Sequence, residues 1–207
     1  MNAKLRQDLY RLNVEKEFVD AMVVGVDVCH AGRNSIVGMA ATYTPYLTQH
    51  FSKVYPQDLH KELIGEKRDA KVLNERIDIM SNFITKALQN YELHNKKLPG
   101  RIVVYRDGVG GPAMQKLVLE VELGKMSEAI RSFKSGYAPK ILYVFVNKET
   151  NARFFEEIGK NVLNPPEGTV VETDLVEFDE KAKLFDFYMI PHHASIATAR
   201  PVHYIVA

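Results

Sequence analysis

The chain has 207 residues, enough for one domain of ordinary size or for one and a part. Apolar residues make up 46% and charged residues 26%, near globular averages, which excludes wholesale disorder. Lys plus Arg is 27 against 26 for Asp plus Glu, a formal charge of +1. That balance excludes a basic tail protein but leaves room for a basic groove offset by acids elsewhere.

Cys29 is the single cysteine, so an intrachain disulfide framework and a cysteine-rich zinc site are both excluded. It fits a reducing compartment. The longest apolar runs, Ala21 to Val26 and Ile141 to Val146, fall far short of the roughly 18 residues of a membrane span. Lys4, Arg6, Asp8, Arg11, Glu15, Lys16 and Glu17 stud the start of the chain, which does not read as a secretory signal. A cytoplasmic or nuclear protein that does not contact membranes is expected.

In chain order, Met22 to Cys29 is a short β-branched run, followed after a turn-rich stretch by Ser35 to Tyr43 and His50 to Tyr55. Together they read as a meander of three strands. Gln57 to Asn74 is polar and mixed in charge and reads as an exposed excursion. Ile77, Met80, Ile84, Ala87, Leu88 and Tyr91 then share one helical face, with Asn74 as the expected N-cap. Ile102 to Tyr105 is a buried strand, and Asp107 to Pro112 a turn into a second helix. That helix would bury Met114, Leu117, Val118, Val121, Met126, Ile130 and Phe133. Strands are expected at Ile141 to Val146, Gly168 to Thr173 and Leu184 to Ile190. The order predicts a mixed α/β sheet with helices packed over it.

Two aspartates stand out. Asp27 lies inside the apolar run V-V-G-V-D-V, where a buried carboxylate must be paired, hydrogen-bonded or bound to a cation. Asp107 follows I-V-V-Y-R and would emerge at a strand's carboxyl end. If the two strands are neighbours, the acids converge, and a divalent metal relieves their repulsion. Asp107-Gly108 is equally a turn signal, and backbone amides could satisfy Asp27. The glycines after Asp107 lack the Lys-Ser/Thr of a phosphate loop. Neither His30, His192-His193 nor His203 has companions at zinc-ligand spacing, and Cys29 reads as packing.

Val24-Gly-Val-Asp-Val-Cys-His30, Ser35-Ile-Val-Gly38 and Ile102-Val-Val-Tyr-Arg-Asp-Gly-Val109 resemble the PIWI domain of the Argonaute/Piwi family. Asn151-Ala-Arg-Phe-Phe155, Gly168-Thr-Val-Val171, Phe185-Asp-Phe-Tyr188 and Arg200-Pro-Val-His-Tyr204 continue the resemblance in the same order. It covers nearly the whole chain and is closer to the Piwi branch. Residues 1–20 then read as a lead-in from a preceding guide-anchoring region, and 21–207 as a partial PIWI domain.

The resemblance implies a ribonuclease-H-like fold that holds a small guide RNA paired to complementary target RNA in RNA-mediated gene silencing. Active members are endoribonucleases that use two divalent ions, Mg²⁺ or Mn²⁺. Their two aspartates carry over to Asp27 and Asp107, the metal ligands, and their mobile glutamate to Glu75. Glu62 is the rival for the glutamate; Glu75 is preferred because an exposed loop tolerates an insertion better than a packed helix does. The family's last ligand falls beyond Ala207, so the isolated chain is expected to cleave weakly or not at all. Lys4 resembles a lysine that binds the guide's 5′ phosphate, and Arg153 and Arg200 are candidates for backbone phosphates. Each is alternatively a solvated surface cation. Asn147 and Glu149 stand where relatives often carry basic residues. The competing expectations are a non-catalytic RNA-binding module acting by occupancy and another ribonuclease-H-like nuclease of the resolvase or transposase kind.

Overall fold

The structure, a computed structural model, describes residues 10–11, 13–16, 18–31, 34–58, 79–109, 118–173, 178–179 and 184–207. The chain divides into two compact units, one within Met1–Tyr105 and Gly110–Leu142, the other formed by Arg106–Val109 and Tyr143–Ala207.

In the first unit, β1 (Ala21–Ala31), β2 (Asn34–Thr42) and β3 (His50–Asp58) form the expected antiparallel meander. β4 (Arg101–Asp107) lies on the other side of β1, and β5 (Lys140–Asn147) beside β4. The Gly100 and Arg101 N–H groups both donate to Asp20 O, so β1 and β4 start side by side. The Lys140 N–H donates to Gly100 O, bringing the start of β5 alongside. Alternation decides which residues enter the core: Met22, Val24 and Val26 of β1 and Val37, Met39 and Ala41 of β2 are all buried.

α1 (Met80–Asn95) lays Met80, Phe83, Ile84, Ala87, Leu88 and Tyr91 into that core, and Phe83 stacks on Phe51 with ring centroids 5.7 Å apart. This is the face the sequence predicts, with Phe83 added. Ile77, the first residue of the predicted face, and the proposed cap Asn74 lie outside the described residues. α1 ends at Lys96 in the left-handed region, its N–H donating to Glu92 O, and the Asn95 amide donates to Tyr43 O.

The second helix departs from expectation. A π-helical turn, Leu119–Leu123, precedes α2 (Gly124–Phe133). Its extra residue per turn rotates the inward face, so Glu122 is fully buried while Val121 is only half-buried. Val118, Met126 and Ile130 are buried as expected, Phe133 is half-buried, and Met114 and Leu117 lie outside the described residues.

The α1-to-β4 connection is tied down by Asp20. Lys97 Nζ lies 2.9 Å from Asp20 Oδ1, and the Gly100 N–H lies 3.2 Å from Oδ2. A Cβ on residue 100 would stand 2.6 Å from that oxygen, so a larger residue there would push the Asp20 carboxylate aside. Nearby, the Tyr137 hydroxyl donates to Pro99 O at 2.8 Å. Burial, and then the Asp20 charge, push the Tyr91 hydroxyl up to about 12. Burial, Tyr91 and Asp20 push Tyr137 up as well. An unfolded tyrosine ionises near 10, so this contribution to stability is complete below pH 10 and lost as pH rises from there toward 12. Urea melts should therefore show lower stability at about pH 11 than at about pH 8, and a smaller drop in Tyr91→Phe. Equal drops in both proteins would contradict this.

In the second unit, the end of β5 pairs antiparallel with β11 (Val202–Val206), and β11 with β10 (Leu184–Met189). β8 (Val170–Val171) and β9 (Phe178–Asp179) both pair with β10. The strand expected over Gly168 to Thr173 shrinks to β8, because Gly168 turns the chain at φ 87°. β6 (Glu156–Ile158) and β7 (Asn161–Leu163) make a separate hairpin, exposed throughout. The Gly108 N–H donates to Val146 O at 3.2 Å, binding the residue after β4 to the end of β5. β4 and β5 thus run in the same direction, while β5, β11 and β10 alternate, giving the expected mixed sheet. Among the described residues no helix is long and apolar enough to cross a membrane.

Candidate functional site

Asp27 sits on β1 directly opposite Gly38 of β2, which in turn faces Val54 of β3. Gly25, Asp27 and Cys29 alternate with the buried valines and are exposed. Two sequence expectations are corrected here. The Asp27 carboxylate is not buried among apolar side chains, and Cys29 does not pack in the core. The period of two along the strand turns both to the open face. Among the described residues the Asp27 side chain makes no hydrogen bond or ion pair. The residue opposite on β2 is a glycine, so no side chain from that position covers the carboxylate.

Asp107 closes β4 in the other unit, and Gly108, at φ 76°, turns the chain away immediately after it. The turn expected at Asp107-Gly108 and the emergence of Asp107 at the strand's end are therefore both present. Below it Arg106 is 1% exposed, and its guanidinium donates to the Asp107 carbonyl oxygen. The Asp107 side chain is 23% exposed, and its Oδ2 accepts from Lys148, the residue that follows β5. The sequence reading passed over Lys148. Its signal was position: a strand neighbouring β4 and ending at Asn147 delivers the next residue to the tip of β4.

Arg153 and Arg200 belong to the same unit as Asp107, and both are exposed. Arg153 Nη1 donates to Thr150 O at 2.8 Å and to Ala152 O at 2.6 Å. Those bonds brace the side chain on its own loop while using one of the three guanidinium nitrogens. A further polar cluster was not anticipated. His203 Nε2 lies 2.5 Å from Asp186 Oδ2, and the His203 ring stacks on Tyr188, directly opposite in the ladder, at 4.2 Å and 7°. Phe187 and Tyr204, the next pair along, stack at 5.0 Å. Burial and the Asp186 charge raise the Tyr188 hydroxyl, partly offset by its hydrogen bond with Thr150. Such cross-strand pairs lock β10 to β11 and hold the loop that carries Arg153.

Lys4, Glu75 and its rival Glu62 lie outside the described residues. Asp27 belongs to the first unit and Asp107 to the second. Both offer hard carboxylate oxygens, the donors that magnesium and manganese prefer. An ammonium cation already stands at Asp107, so that oxygen accommodates positive charge. The donor chemistry fits a divalent ion. No cluster of three or more His, Cys, Asp or Glu occurs among the described residues.

The family model for the Piwi domain matches residues 1–207. The chain belongs to the Piwi domain family. Piwi-like protein 1 of Danio rerio is 32% identical over 209 residues, covering 100% of this chain and 22% of that protein. This Piwi-domain chain thus spans about a fifth of the length of that curated relative. The crystal structure of Drosophila Piwi superposes with a TM-score of 0.68 at 26% identity, over 93% of this chain and 24% of that one. Kluyveromyces polysporus Argonaute, solved with a guide RNA, gives 0.69 at 24% identity, over 93% of this chain and 23% of that one. The expected family and the ribonuclease-H-like fold are both borne out.

Proposed function

We propose that this Piwi domain binds a small guide RNA paired to complementary target RNA, and that in the intact protein it cleaves the target. The observation that carries the reading is the family match along the whole chain, through every motif that holds a candidate residue. The guide RNA in the Kluyveromyces polysporus structure of the same fold supports the choice of ligand. In this reading Arg153 and Arg200 bind backbone phosphates, which position the duplex without reading its sequence, and Lys4 binds the guide's 5′ phosphate. Asp27, Glu75 and Asp107 are the catalytic acids, with Asp27 and Asp107 as metal ligands. Two Mg²⁺ or Mn²⁺ ions held there supply an activated water and stabilise the leaving oxygen. The exposure of Asp27 on a face with a glycine opposite supports this, since a scissile phosphate must come that close.

The test is filter binding of a 5′-phosphorylated RNA duplex to the 207-residue chain across a salt series. Binding should weaken steeply with salt, and Arg153→Ala and Arg200→Ala should each flatten the log–log slope by about one unit. Asp27→Ala should leave binding intact, and cleavage in Mn²⁺ should be very weak or absent for all of them. Salt-independent binding, or none, would overturn the reading.

A further inference from the structure

Resting on the reading of Asp107 as a metal ligand, we propose that Lys148 is its resident counter-cation and competes with the divalent ion for the same carboxylate. The Lys148 ammonium bonds Asp107 Oδ2, and both residues lie in one compact unit. The hydrogen bond from the Gly108 N–H to Val146 O fixes the backbone on both sides of the pair. What can move is the lysine side chain, 63% exposed on a flexible four-carbon stem. Asp107, at 23% exposure, is the more enclosed partner and gains more from a neighbouring positive charge.

A divalent ion arriving at Asp107 must displace the ammonium and then bear its repulsion. One unit charge acting on a divalent ion at about 6 Å in a water-like dielectric changes affinity roughly tenfold. Asn147 and Glu149, uncharged and acidic, flank Lys148 in the sequence, and the buried Arg106 guanidinium is engaged with the Asp107 carbonyl oxygen, so Lys148 is the cation on the carboxylate itself. Lys148 gives this segment the role of keeping the Asp107 carboxylate oriented and occupied until the metal displaces it.

The experiment measures Mn²⁺ binding to the 207-residue chain by the free-ion paramagnetic resonance signal, so no RNA cleavage is needed. Lys148→Met should bind Mn²⁺ about tenfold tighter than wild type, and Lys148→Arg, which keeps the charge, about as wild type does. Asp107→Asn is the control for the underlying reading and should weaken binding at least tenfold. If Asp107→Asn weakens binding while Lys148→Met leaves it unchanged or weaker, the competition is refuted and the metal reading survives. If Asp107→Asn changes nothing, or wild type and Lys148→Met both fail to bind, the two fall together. Circular dichroism melts of each variant separate these outcomes from misfolding.

Discussion

Arg106→Ala is expected to destabilise the chain by about 3–5 kcal/mol and to lower its melting temperature by roughly 10 °C. The side chain is among the largest that are fully buried, and its guanidinium donates to the carbonyl of the next residue, Asp107. Truncation leaves a cavity and strips the Asp107 carbonyl of its donor, two costs that add. Arg106→Lys keeps the charge but not the planar fork, so it should recover less than half of the loss. Hydrogen exchange should localise the damage to the ends of β4 and β5, at Asp107 and around Val146. A thermal shift under about 2 °C for Arg106→Ala would show that the buried guanidinium contributes little.

The strands and the first helix were legible because their signals are local. β1 and β2 alternate valine and methionine with small or polar residues, and α1 repeats its apolar side chains at helical spacing. The second helix departs from expectation at Val121 because the π-helical turn brings Glu122 inward in its place, and nothing in L-E-V-E-L announces that turn. Asp27 was assigned the wrong environment for a different reason. Apolar neighbours on a strand fill the opposite face, so the run around it says nothing about its own burial. The β6–β7 hairpin escaped notice because E-E-I and N-V-L are three-residue strands with no buried face. Lys148 and the Asp186–His203 pair depend on which strands are neighbours. That is fixed by β5 lying beside β4 and by the register of β10 with β11 rather than by any local pattern.

Whether two carboxylates from separate stretches of the chain serve one metal is decided by a double-substitution cycle. Mn²⁺ affinity would be measured for the wild-type chain, Asp27→Asn, Asp107→Asn and the double variant. A hard divalent ion shared by both acids loses most of its protein coordination when either is neutralised, since a lone carboxylate competes poorly with water. Each single variant should therefore bind at least tenfold more weakly, and the double variant little worse than either alone. Full wild-type affinity in either single variant, or losses that simply multiply in the double, would mean that Asp27 and Asp107 do not share an ion.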